Sequence, residues 1–159
     1  MIGVPGHGGR GPAVPIPEFP VKAVLADGGV VLSGRIDLLL TRSDAANLRD
    51  TPRLALDLKT GSPRSEHAED MRFYALLMAL RYGIPPFRVA TFFLESGEWQ
   101  AEDVTGETLG RAVDRVLNAV ETALELHGGR EPALTAGPWC GWCPRSETCP
   151  AVVGRPDLP

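Results

Sequence analysis

The chain has 159 residues, the size of a single ordinary domain, and its 18 Gly and 15 Pro are more than a folded core of that size uses. With 16 basic residues against 20 acidic ones the net charge is −4, which excludes a protein that binds nucleic acid simply by being basic. No run approaches the roughly 18 apolar residues of a membrane helix, and the opening MIGVPGHGGRGP has no apolar h-region, so no membrane partner and a cytoplasmic location are expected.

Residues 1–20 contain five Gly and five Pro and no hydrophobic period, and 1–18 read as a flexible lead-in. Two apolar-rich runs, Phe19 to Ala26 and Val30 to Leu40, flank Asp27-Gly28-Gly29, a strong hairpin signal because Gly accepts the positive φ of tight turns. After the polar stretch TRSDAANLRDTP, the segment RLALDLKT alternates Leu54, Leu56 and Leu58 against Ala55, Asp57 and Lys59, the period of a strand with one apolar face. Gly61-Ser62-Pro63 ends it.

A helix is expected from Glu66 to Tyr82, with acids in its first turns and Gly83 as its stop, and it is apolar enough to lie against a sheet. The three leucines of the preceding strand are expected beneath it. Phe87 to Leu94 reads as a strand that turns at Ser96-Gly97 into a partner, Glu98 to Val104. Thr105 can cap a last helix whose stripe is Leu109, Ala112, Val113, Val116, Leu117, Val120, Ala123 and Leu124, ended by Gly128-Gly129. The expected fold is α/β: a mixed sheet of four or five strands flanked by helices, with a core over 19–135 and a cysteine-bearing coil over 136–159.

Two groups of residues carry chemistry. Asp57 and Lys59 project from one strand face, and on the hairpin's second strand Arg35, Asp37 and Leu39 are read as sharing a face. If the two strands are neighbours, Asp37 and Asp57 converge, and paired carboxylates suit Mg²⁺ or Mn²⁺. Lys59 then stands where it can assist a water against a phosphodiester. The bland alternative is a solvated ion pair on an exposed face. Lys22 and Lys59 are the only lysines, so 14 of the 16 basic residues are Arg, suited to local phosphate contacts.

The second group is Cys140, Cys143 and Cys149, spaced C-x2-C-x5-C, whose thiolates suit Zn²⁺ or an iron–sulfur cluster. Trp139 and Trp142 beside them either stack on bases or pack the coil. His7 and His67 read as exposed residues rather than ligands, and His127 as a cation at the C-terminus of the last helix rather than the residue that completes a metal centre.

Gly34-Arg35-Ile36-Asp37, Asp57-Leu58-Lys59, the helix segment Asp70-Met71-Arg72-Phe73-Tyr74 and the terminal cysteines together resemble the PD-(D/E)xK nuclease superfamily, specifically its RecB-like branch with AddB-type and CRISPR-associated members. The resemblance runs from about Phe19 to Pro150 and implies a restriction-endonuclease-like fold and a DNA exonuclease of repair or recombination. It implies Asp37, Asp57 and the Leu58 carbonyl as metal ligands for Mg²⁺ or Mn²⁺, and Lys59 as the residue that assists the attacking water. Tyr74 matches the tyrosine of a Q-x-x-x-Y motif, whose Gln is Asp70 here. Family members hold a [4Fe-4S] cluster with such a cysteine triplet and a fourth cysteine from an upstream helix. That cysteine and that helix have no counterpart in this sequence, so the ligand set is incomplete. DNA is the implied partner, with a helicase or recombination protein as a further one. The competing readings are an inactive nuclease-like DNA-binding or scaffold module and a small Zn-bound interaction domain.

Overall fold

A computed structural model of the chain describes residues 12–42 and 52–153. The chain divides into two units, Met1–Leu117 and Asn118–Pro159. The first contains a five-stranded sheet in the order β1-β2-β3-β4-β5, built from β1 (Ala13–Leu25), β2 (Val30–Arg42), β3 (Leu54–Lys59), β4 (Arg88–Phe93) and β5 (Glu98–Asp103). The sheet is mixed: β3 and β4 are parallel, joined through helix α1 (Ser65–Tyr82), and the other neighbours are antiparallel. Helix α2 (Gly106–His127) follows β5.

The hairpin forms as its turn residues dictate. Leu25 faces Val30, and the loop between them bends through Gly28 at φ 95°, with Ala26 and Asp27 also left-handed at 49° and 51°. The first strand starts at Ala13 rather than Phe19, so residues 13–18 are strand and not lead-in. Proline is the reason the composition misleads there. Pro15, Pro17 and Pro20 would break a central strand, but β1 is an edge strand, where a missing N–H costs little. Residues 1–11 lie outside the described residues.

Helix α1 ends as its sequence predicts, at Gly83 with φ 80° and its N–H donating to the Ala79 carbonyl. Thr105 caps α2, its Oγ1 accepting the Thr108 N–H at 3.2 Å. The first turns of α2 meet the core through Leu109 and the buried Ala112, while Val113 and Leu117 of the same apolar stripe are exposed. Arg72 ties α1 to the far edge of the sheet by pairing with both Glu69 and Glu102. No helix among the described residues is long and apolar enough to cross a membrane.

Two separate clusters fill the two faces of the sheet. Val21, Ile36, Leu39, Ala55 and Val89 pack with Met71, Ala75, Leu77 and Met78 of α1. Leu54, Leu56 and Ala90 form the other cluster, with Leu38, Leu40, Phe87 and Phe92 around them. The leucines of β3 therefore do not lie beneath α1, as their period suggested, but on the opposite face. Leu54 and Leu56 are buried there and Leu58 is 40% exposed. Alternation places Ala55, Asp57 and Lys59 toward α1 instead. Helix α1 thus lies on the face that carries the ionisable residues.

Candidate active site at the end of β3

The pairing register of the outer hairpin is constant, but the alternation of its faces reverses where Glu18 stands across from Asp37. The pairs Pro17 to Leu38 and Phe19 to Ile36 bracket them, and Glu18 takes φ 50°. Ile36 and Leu39, an odd number of residues apart, both enter the α1-side core. The expected common face of Arg35, Asp37 and Leu39 is therefore absent: at Asp37 the regular alternation is interrupted. Ladder pairing of β2 with β3 runs from Leu40–Leu54 to Leu38–Leu56. Just beyond it, the Asp37 carboxylate takes the place of a backbone acceptor, with Leu58 N–H donating to its Oδ2 at 2.8 Å. That bond brings Asp37 to the residue between Asp57 and Lys59.

Asp57 is 6% exposed. Lys59 donates to its Oδ1 at 3.3 Å, and the ammonium lies 3.0 Å from Oδ2, yet Oδ2 receives no properly directed hydrogen bond. Burial raises the Asp57 carboxyl above the usual aspartate range, outweighing the hydrogen bond and charge of Lys59, and Asp37 and Asp70 push it the same way. Desolvation alone would lower the Lys59 ammonium, but its bond to Asp57 and the charges of Asp57, Asp70 and Asp37 raise it overall. Lys59 is thus held as a cation.

Tyr74 lies over β2, where a side chain at Gly34 would come within 2.7 Å of its ring. Gly34 is required by that approach and not by its backbone angles. Burial raises the Tyr74 phenol, as do the nearby Asp57 and Asp37 carboxylates, so the hydroxyl keeps its proton. His67 is half-buried rather than exposed: its ring sits 5.5 Å from that of Phe93, and its Nδ1 accepts the Arg64 N–H. The helical spacing of His67, Asp70 and Tyr74 could have flagged this row in the sequence, since i, i+3 and i+7 share a helix side.

The structure brings Asp37, Asp57, Leu58, Lys59 and Tyr74 together. A buried carboxylate oxygen that has an ion pair but no well-directed hydrogen bond, close to a second acid, is the donor chemistry that a hard divalent cation needs. Among the described residues, no three His, Cys, Asp or Glu side chains are grouped so as to hold a metal by themselves.

The cysteines belong to the second unit: Cys140 lies in a short 3-10 turn, Pro138–Trp142, with Cys143 directly after it, and Cys149 directly follows a second, Ser146–Thr148. All three are free thiols. Cys140 is buried, with Gly137 N–H donating to its Sγ at 3.4 Å, and Cys143 and Cys149 are half-buried. The Trp139 ring lies against Gly137, where a β-carbon would meet it at 2.4 Å, whereas Trp142 is 77% exposed.

A mixed sheet whose central strand ends in an acid and a lysine, with a second acid on the neighbouring β2, is the frame of a metal-dependent nuclease, and the family model of the PD-(D/E)XK nuclease superfamily matches residues 9–150. The chain belongs to that superfamily. No curated protein matches the chain. Among solved structures, the crystal structure of SSO0001 is similar at 16% identity, with a TM-score of 0.44, over 87% of this chain and 61% of that one. The chain thus spans about three-fifths of the length of that solved relative.

Proposed function

We propose that the chain is a divalent-metal-dependent DNA nuclease of the RecB-like branch, hydrolysing phosphodiester bonds exonucleolytically in DNA repair or recombination, with a helicase or recombination protein as partner. The observation that carries the reading is the buried Asp57, whose carboxylate is met by the Lys59 ammonium, next to Leu58, whose N–H holds the Asp37 carboxylate in place. Asp37, Asp57 and the Leu58 carbonyl would hold Mg²⁺ or Mn²⁺. Such a cation, when bound, supplies Lewis-acid activation of a phosphodiester and of its attacking water.

The protein's own groups do the rest. Lys59, kept protonated by its acid neighbours, donates hydrogen bonds to water or phosphate and offsets the negative charge that builds on the phosphoryl oxygens. It orients the nucleophile. Tyr74 offers a phenolic donor at the rim of the same site. Arg side chains supply phosphate contacts despite the net charge of −4, so binding weakens as salt rises.

The test is cleavage of end-labelled single-stranded and blunt duplex DNA with Mg²⁺, Mn²⁺ or EDTA. Cleavage should need the metal, and Asp37→Ala, Asp57→Ala and Lys59→Ala should each lower it by about a hundredfold or more. DNA binding without cleavage by the unaltered protein would reject catalysis and leave the scaffold reading.

A further inference from the structure

Two contacts fix how α1 crosses the sheet. His67, in its first turn, lies against Phe93 of β4, the register partner of Lys59. Tyr74, two turns later, lies against Gly34 of β2. Strand β3 runs between those two strands, so the helix passes over the end of β3 between residues 67 and 74. Met71 enters the core there. Asp70, its neighbour, is exposed and is carried over the end of β3 at the rim of the site. Its charge is felt at Asp57, Lys59 and Tyr74 alike.

The Lys59 ammonium now sits across both oxygens of Asp57, at 3.3 and 3.0 Å. A divalent cation and an ammonium cannot share one carboxylate without repulsion. The Lys59 side chain is 32% exposed and so has room to move, whereas that of Asp57 is 8% exposed and does not. We propose that Asp70 is the exchange partner of Lys59: when Asp57 is given over to a divalent cation, the ammonium swings to Asp70 and remains in the site. The inference rests on the nuclease reading above. It makes Asp70 a positioning residue, acting through Lys59 and not as a third ligand, in keeping with the lack of any three-acid group among the described residues.

Calorimetric titration of the full chain with Mn²⁺ alone, without DNA, tests this separately from catalysis. Asp70→Asn should weaken Mn²⁺ binding by about three- to tenfold, the scale of one partly exposed ion pair, and Asp70→Glu should restore it. Lys59→Met should tighten binding by removing the competitor, and in that background Asp70→Asn should have almost no effect. An unchanged affinity in Asp70→Asn would overturn the inference and leave the metal site standing. An equal loss with and without Lys59 would also overturn it, since Asp70 would then act on the cation itself. No Mn²⁺ uptake by the unaltered protein would sink both the inference and the metal-site reading.

Discussion

The two faces of β3 are made from alternate residues of one six-residue strand, and they differ in what they bury. On one face Leu54 and Leu56 join Ala90 in an apolar cluster that contains no ionisable group. On the other, Ala55 packs beneath α1, but two residues on the strand buries a carboxylate, Asp57, and then sets a half-buried ammonium, Lys59, beside it. Burying Asp57 opposes its ionisation, as the upward shift of its carboxyl records. Only the first face is explained by stability. A face that keeps a charge at a cost, beside a second acid and a phenol, is explained by what it does.

That contrast can be broken by substitution on either side. The largest expected effect on folding is on the leucine face: Leu56→Ala should lower stability by about 2 to 5 kcal/mol in denaturant unfolding, because it empties a buried site. A loss within error would mean that the face is not a packed cluster. On the α1 face, Gly34→Ala should cost about 1 to 3 kcal/mol by driving a methyl into the Tyr74 ring. Adding Tyr74→Ala should recover the part due to the clash, so an undiminished penalty in the double variant would show that the ring is not what Gly34 accommodates.

The smallest effect on folding should be a gain. Because burial raises the Asp57 carboxyl, the folded chain holds that proton more tightly than the unfolded chain does. Ionisation therefore costs stability at neutral pH, and the cost disappears as pH falls through the raised value to below the ordinary aspartate range. Asp57→Asn should then unfold at slightly higher temperature than the unaltered protein at pH 7, with the advantage shrinking in acid. A lower melting temperature at pH 7 would mean that pairing with Lys59 outweighs burial.

Much of this was legible from the residues. Asp27-Gly28-Gly29 announced the hairpin, the alternation of RLALDLKT announced β3, and Gly83 and Thr105 marked helix ends that hold the expected bonds. The grouping of Asp37 with Asp57 and Lys59 followed from pairing β2 with β3. Period two, however, says that faces differ and not which one a helix will cover, so it cannot tell that the leucines lie away from α1. The reversal of faces at Glu18 and Asp37 was hidden for a related reason: an irregular pair leaves no mark in an alternation that assumes regular strands. Pro15 and Pro17 disguised the start of β1, because whether proline is tolerated depends on a strand's place in the sheet. The place of Asp70 and His67 depends on the crossing of α1, which only tertiary contacts reveal.

The most direct test of the division between the two faces measures DNA cleavage and unfolding on the same three proteins: the unaltered chain, Asp57→Asn and Leu56→Ala. At a temperature where all are folded, Asp57→Asn should lose metal-dependent cleavage while keeping its stability, and Leu56→Ala should lose stability while keeping cleavage. Cleavage that survives in Asp57→Asn at the rate of the unaltered chain would contradict the account.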